Sequence, residues 1–115
     1  MIDITQQQQD QTIVVEPRGR LDSTTAGELE SHLLSLLDQG QSQLVVDFIQ
    51  LDYISSAGLR VLLMAAKRVK ALQGSLALCC MKDSIREVFE MSGFDRIFAI
   101  YASREDATSA MARTS

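Results

Sequence analysis

Leu51-Asp52-Tyr53-Ile54-Ser55-Ser56-Ala57-Gly58-Leu59-Arg60 stands between two apolar segments of different period. Before it, Leu44-Val45-Val46-Asp47-Phe48-Ile49 is a short, nearly continuous apolar run, the pattern of a buried strand. After it, residues 59–72 carry apolar side chains at near-helical spacing with no proline, the pattern of a helix with one buried face. The two serines therefore fall where a strand has ended and a helix begins. Ser55 or Ser56 can cap that helix, its oxygen accepting from a first-turn amide, and a hydroxyl at such a place is open to modification.

Towards the N-terminus the pattern predicts a short strand at residues 2–4, a polar hairpin connection through the glutamine run at 6–10, and a second strand at 12–18. Pro17 near its end suits a strand edge or exit. Asp22 and Ser23 offer capping oxygens for a helix that runs to about residue 38. Thr25 and Glu28 have capping-box spacing, and Leu29, Leu33, Leu36 and Leu37 form the buried stripe. Gly40 is the C-terminal stop. Towards the C-terminus, the central helix ends before Gly74 and a strand follows at 76–81, so strand, helix and strand imply a parallel pair with a right-handed crossover. A helix at 83–91 ending at Gly93, a strand at 97–101 and a last helix from residue 104 complete an α/β reading. It comprises one domain over residues 1–115, with a mixed β-sheet of about four to five strands and about four helices mainly on one side.

The chain has 115 residues, enough to bury roughly two-thirds of its unfolded surface in one core without metals or disulfides. A net charge of -4 and the lack of a Lys/Arg cluster argue against nucleic acid as a partner. The N-terminal residues carry neither a basic nor an apolar targeting region, and no run approaches the ~18 apolar residues of a membrane helix, so no membrane role and a cytoplasmic location are expected. Cys79 and Cys80, neighbours in a strand-like run, should point to opposite faces as free structural thiols. His32 falls on the polar side of the first helix and is expected in solvent. Tyr53 and Phe94 are expected as core or rim residues near the serine loop.

Three segments, taken together, resemble the STAS domains of anti-sigma factor antagonists, the phosphorylatable components of bacterial partner-switching modules. They are Gly19-Arg20-Leu21-Asp22, residues 51–63, and Ile85-Arg86-Glu87-Val88-Phe89-Glu90-Met91-Ser92-Gly93-Phe94-Asp95-Arg96-Ile97-Phe98, in the family's order and covering almost the whole chain. Aligned on Gly58 and Leu59, the resemblance puts the phosphoacceptor on Ser56, with the adjacent Ser55 as second choice. Ser55 stands where many members carry Asp, and Ala57 where many carry a second Ser. The resemblance also brings Asp22 beside the phosphoacceptor loop, where a plain helix cap is an equal reading.

The expected partner-binding residues are Asp22, Ser55, Ala57, Gly58, Leu59, Arg60, Met64 and Lys67, the last three by helical spacing on one face. The implied partners are an anti-sigma factor with serine kinase activity and a PP2C-like serine phosphatase. The implied mechanism is that the unphosphorylated form binds the anti-sigma factor and frees its sigma factor, while phosphate on Ser56 reverses this. Two alternatives stay open: a partner switch with a non-sigma output such as secretion or biofilm formation, and a small-ligand or nucleotide sensor using the helix N-terminus as an anion site.

Catalysis finds no support in the residues. G-x-S-x-G fails because Ile54 holds the first glycine's place, G-x-x-x-x-G-K-[ST] is absent, and no metal-ligand spacing occurs. No cofactor and no enzymatic activity are expected.

Overall fold

A computed structural model of the chain describes residues 2–114. Its elements in order are β1 (Asp3–Gln9), β2 (Thr12–Leu21), α1 (Ala26–Asp38), β3 (Gln43–Asp47), β4 (Leu51–Ile54), α2 (Ser56–Ala71), β5 (Ser75–Cys79), α3 (Asp83–Ser92), a 3-10 turn (Phe94–Arg96), β6 (Ala99–Tyr101) and α4 (Arg104–Thr114). The sheet runs β1-β2-β3-β5-β6, with β4 added to the far end of β2. Only β1 is antiparallel to its neighbour; β2–β3, β3–β5, β5–β6 and β2–β4 are parallel. The mixed sheet expected from the sequence is present with six strands.

The alternation of side chains along parallel strands sorts the core into two layers. On one face Val15, Leu44, Val46 and Leu78 pack with Leu29, Leu33, Leu36 and Leu37 of α1, Leu62, Ala65 and Val69 of α2, and Ile85 and Phe89 of α3. On the other, Val14, Val45, Ala77 and Cys79 meet Ala107 and Met111 of α4 alone. Three helices thus lie on one side and one on the other. An aromatic chain closes the larger layer: Phe89 sits 6.1 Å from Phe48 and 6.0 Å from Phe98, and Phe98 lies 6.2 Å from Phe94.

Several local expectations are corrected. The glutamine run is not a turn: Gln6 to Gln9 pair with Val15 to Thr12, and the chain reverses at Asp10, whose φ of 58° is left-handed. These glutamines also tie down both layers. Gln6 Oε1 lies 2.7 Å from Nε2 of His32, which is half-buried and not free in solvent, and Gln7 Oε1 accepts from Arg104 at 2.9 Å.

Pro17 is inside β2 and buried, paired with Ile4 on the β1 side. On the other side β2 leaves β3 after Val15 and joins β4 only at Gly19, so the missing proline N–H interrupts neither parallel ladder. The capping box is not formed either. Thr25 Oγ1 turns back, accepting from Asp22 N at 2.9 Å and donating to Arg20 O at 2.7 Å.

Cys79 and Cys80 do not face opposite ways. β5 ends at Cys79, and Cys80 takes φ 63°, which breaks the alternation and leaves both residues against the α4 layer. Burial and the Asp47 carboxylate push the Cys79 thiol pKa far up.

α4 is fastened by charge as well as packing. Arg104 donates from Nε to Asp47 Oδ2 at 2.7 Å and from Nη2 to Glu16 Oε1 at 2.6 Å, while Asp47 Oδ1 accepts from Ile49 N at 3.0 Å. Asp47 is 2% exposed, so loss of the guanidinium strands a buried carboxylate. Removing one partner of such a pair costs about 3 kcal/mol or more when fully buried; Arg104 is itself partly exposed, so Arg104→Ala should lose ~2–3 kcal/mol. In thermal denaturation the midpoint should fall by about 10 °C or more.

Candidate functional site

The register Leu21↔Ile54 between β2 and β4 decides the site. Both strands end there, so the residues that follow, Asp22 on one and Ser55-Ser56 on the other, emerge at the same edge of the sheet. β4 supplies a frame with Leu51 and Ile54 buried and Asp52 and Tyr53 exposed. Arg20 lies over the Tyr53 ring at 4.2 Å, and Asp52 accepts from Lys82 at 2.6 Å, so two cation-bearing contacts flank the strand. Phe94 lies away in the aromatic chain, half-buried against Phe98.

Ser55 is the residue before α2, with extended backbone at φ -105° and ψ 177°. Its N–H donates to Leu21 O at 2.9 Å and its carbonyl accepts from Leu59 N at 3.0 Å. Its side chain does not cap the helix as expected: Oγ is buried and has no hydrogen-bond partner among the described residues. Ser56 is the first residue of α2 and is exposed. The two adjacent serines, of which the resemblance favours Ser56, are therefore opposite in access.

The first turn of α2 carries no acidic side chain. Its free amides and dipole therefore present an uncompensated positive end, which suits an anion. Asp22 is fixed nearby by its own turn, Oδ1 accepting from Thr24 N at 2.9 Å and from Thr24 Oγ1 at 2.7 Å. The Thr24 hydroxyl is the main cause that holds the Asp22 carboxyl below the usual carboxylate range, with the Thr24 amide next. The carboxylate thus closes the turn ahead of α1 and is not the helix cap, since the residue before the first turn is Thr25 and no side chain caps it.

Of the remaining expected contact residues, Ala57 is half-buried, Arg60 and Lys67 are exposed, and Met64 is half-buried. Arg60, Met64 and Lys67 border one shallow groove along α2, together with Leu63 and Arg68. Gly58 and Leu59 lie in the core and shape the surface from beneath. A Cβ on Gly58 would stand 2.8 Å from Leu21 Cγ and 2.9 Å from Ile54 Cγ1, so this glycine lets the helix start descend onto the ends of β2 and β4. The pairing of β4 with β2, which assembles the site, was not legible in the sequence. Only the short apolar bracket Leu51/Ile54 hinted at a strand.

The STAS domain family model matches residues 3–107, and the chain belongs to this family. BtrV of Bordetella bronchiseptica, a candidate anti-sigma factor antagonist, is 48% identical over 93 residues, covering 81% of this chain and 80% of BtrV. The anti-sigma-B factor antagonist of Bacillus subtilis is 31% identical over 104 residues, covering 90% of this chain and 93% of that protein. Among solved structures, the Bacillus cell fate determinant SpoIIAA in its phosphorylated form shares the fold at a TM-score of 0.74, with 21% identity, covering 94% of this chain and 98% of SpoIIAA.

Two substitutions probe the local geometry. Alanine at an inner helix position gains up to ~1 kcal/mol over glycine, but overpacking costs ~1–3 kcal/mol. With three carbon contacts under 3.0 Å the second effect should win, and Gly58→Ala should lose about 1–2 kcal/mol in urea denaturation. Ser55→Ala removes no capping bond and takes away a buried, unpartnered hydroxyl, so its stability should hold or rise by up to ~1 kcal/mol, where a bonded capping serine would lose ~1 kcal/mol.

Proposed function

We propose that this protein is an anti-sigma factor antagonist working as a phosphorylation-gated partner switch, and not an enzyme. The observation that carries the reading is the contrast between Ser56, exposed at the first turn of α2, and Ser55, whose hydroxyl is buried. Of the two serines at the start of α2, a kinase reaching this edge meets Ser56 and not the buried Ser55 hydroxyl. The relatives named as antagonists of anti-sigma factors supply the partner class. The finer assignments are ours: the anti-sigma factor is also the serine kinase for Ser56, a PP2C-like phosphatase reverses it, and the exchange takes place in the cytoplasm. No described helix is long and apolar enough to cross a membrane.

In the unmodified state the anti-sigma factor rests on Ser56 and Ala57, runs along Arg60, Met64 and Lys67 of α2, and meets the Asp22 edge. Gly58 and Leu59 hold that surface in place from below. Phosphate on Ser56 stays close to the α2 amides, which stabilise it, so the fold is kept. The same phosphate brings ~-1.5 to -2 charge and its hydration into the contact, beside the Asp22 carboxylate. A penalty of about 3 kcal/mol weakens binding about a hundredfold, enough to exchange partners.

Affinity for the cognate anti-sigma factor, measured calorimetrically with each form, tests this. Wild type, Ser55→Ala and Ser56→Ala should bind alike, while phosphorylated wild type and Ser56→Asp should bind about a hundredfold more weakly. Phosphate should map to Ser56 in the wild type and in Ser55→Ala. Equal affinity of the phosphorylated and unphosphorylated forms would sink the switch.

A further inference from the structure

Cys79 and Cys80 are consecutive yet share one side of the sheet. Cys79 ends β5, fully buried against the α4 layer, and Cys80, half-buried, is turned to the same side by its φ of 63°. A non-glycine residue in the left-handed region costs about 1–3 kcal/mol, so the surrounding structure holds Cys80 there against a penalty. Asp47, last residue of β3, is the register partner of Cys79. One atom from each of the three, the two sulfurs and a carboxylate oxygen, all lie within 4.8 Å of one another.

Sulfurs brought together in this way suit chelation better than a disulfide. Adjacent Cα atoms across a trans peptide are about 3.8 Å apart, short of the roughly 4.4–6.8 Å that ordinary disulfides span. No cis peptide occurs among the described residues. We propose that Asp47, Cys79 and Cys80 form a binding site for one thiophilic divalent cation of the zinc class.

Two thiolates and a carboxylate are a donor set that zinc accepts, with the fourth position left to water; magnesium and calcium, which prefer oxygen ligands, are disfavoured. On binding, both S–H bonds break, two sulfur–metal bonds form, and two protons pass to solvent, with no change of oxidation state. Asp47 keeps the bond from Ile49 N, which orients the carboxylate from outside the ligand set. Arg104 Nε already donates to this carboxylate, so an ion bound there competes with the guanidinium for the Asp47 charge, and occupancy bears on the fastening of α4. Entry is from the Cys80 side, since Cys79 has no exposed surface.

The test is a titration of the full chain, thiols reduced, with Cd(II) as the spectroscopic substitute for Zn(II) and with Mg(II) as control, following the sulfur-to-cadmium charge-transfer absorption. Saturation at one ion per chain is expected, with no response to Mg(II). Partners outside the ligand set already cost about 10–100-fold in affinity, so Cys80→Ser should weaken binding about a hundredfold or more, with its far-UV circular dichroism unchanged. Independently of any variant, Zn(II) should slow alkylation of Cys80 in the wild type by about tenfold or more when saturating. Absence of the absorption, an unaltered affinity in Cys80→Ser, continued uptake beyond one equivalent without a break, or alkylation indifferent to Zn(II) would each overturn the site.

Discussion

Strand β2 changes partner midway, and the functional edge depends on where it does so. Up to Val15 it lies beside β3; from Gly19 it lies beside β4, with a bulge between Gly19 and Arg20. Gly19 has a φ of 114°, available at little cost only to glycine, and its N–H donates to Gln50 O at 3.1 Å. That handover moves the end of β2 onto β4, sets Leu21 opposite Ile54, and delivers Asp22 and the two serines to one place. Gly58 completes it from the helix side by letting α2 settle on Leu21 and Ile54.

In the switch we propose, phosphate on Ser56 alters binding without altering the fold. Ser56 sits on the rim of the core, and the residues that carry the packing lie further in: Gly58 and Leu59 within the same turn, Leu62 and Ala65 beyond it. The amide groups at the start of α2 compensate a phosphate locally, whereas a partner surface closing over it must remove its water. The free energy of the proposed switch is therefore concentrated in the contact and not in the domain.

The opposite side of the sheet is built differently. There α4 covers a small apolar layer, and the charged group Arg104, Asp47 and Glu16 supplies orientation that the few apolar contacts do not. Asp47 joins the two sides of the molecule, because its second oxygen shapes the turn that carries the chain from β3 into β4.

Much of this was readable from the sequence, for a physical reason: periodicity records burial. The leucine stripe of α1, the apolar β3 core, the uninterrupted α2 and the Gly93 stop, with its left-handed φ of 78°, all announce themselves locally. Gly58 with its neighbours, in the order set by the Asp22 and Phe94 segments, also carried the family resemblance. What only the tertiary structure decided depends on partners distant in sequence. The polar glutamines of β1 form a strand because β2 offers them a ladder; the four residues of β4 do so because β2 outlasts β3. Ser55 and Ser56 are indistinguishable as letters, and differ because the ends of two parallel strands bury one hydroxyl and leave the other in solvent. The shared face of Cys79 and Cys80 follows from a single backbone angle, which no side-chain pattern encodes.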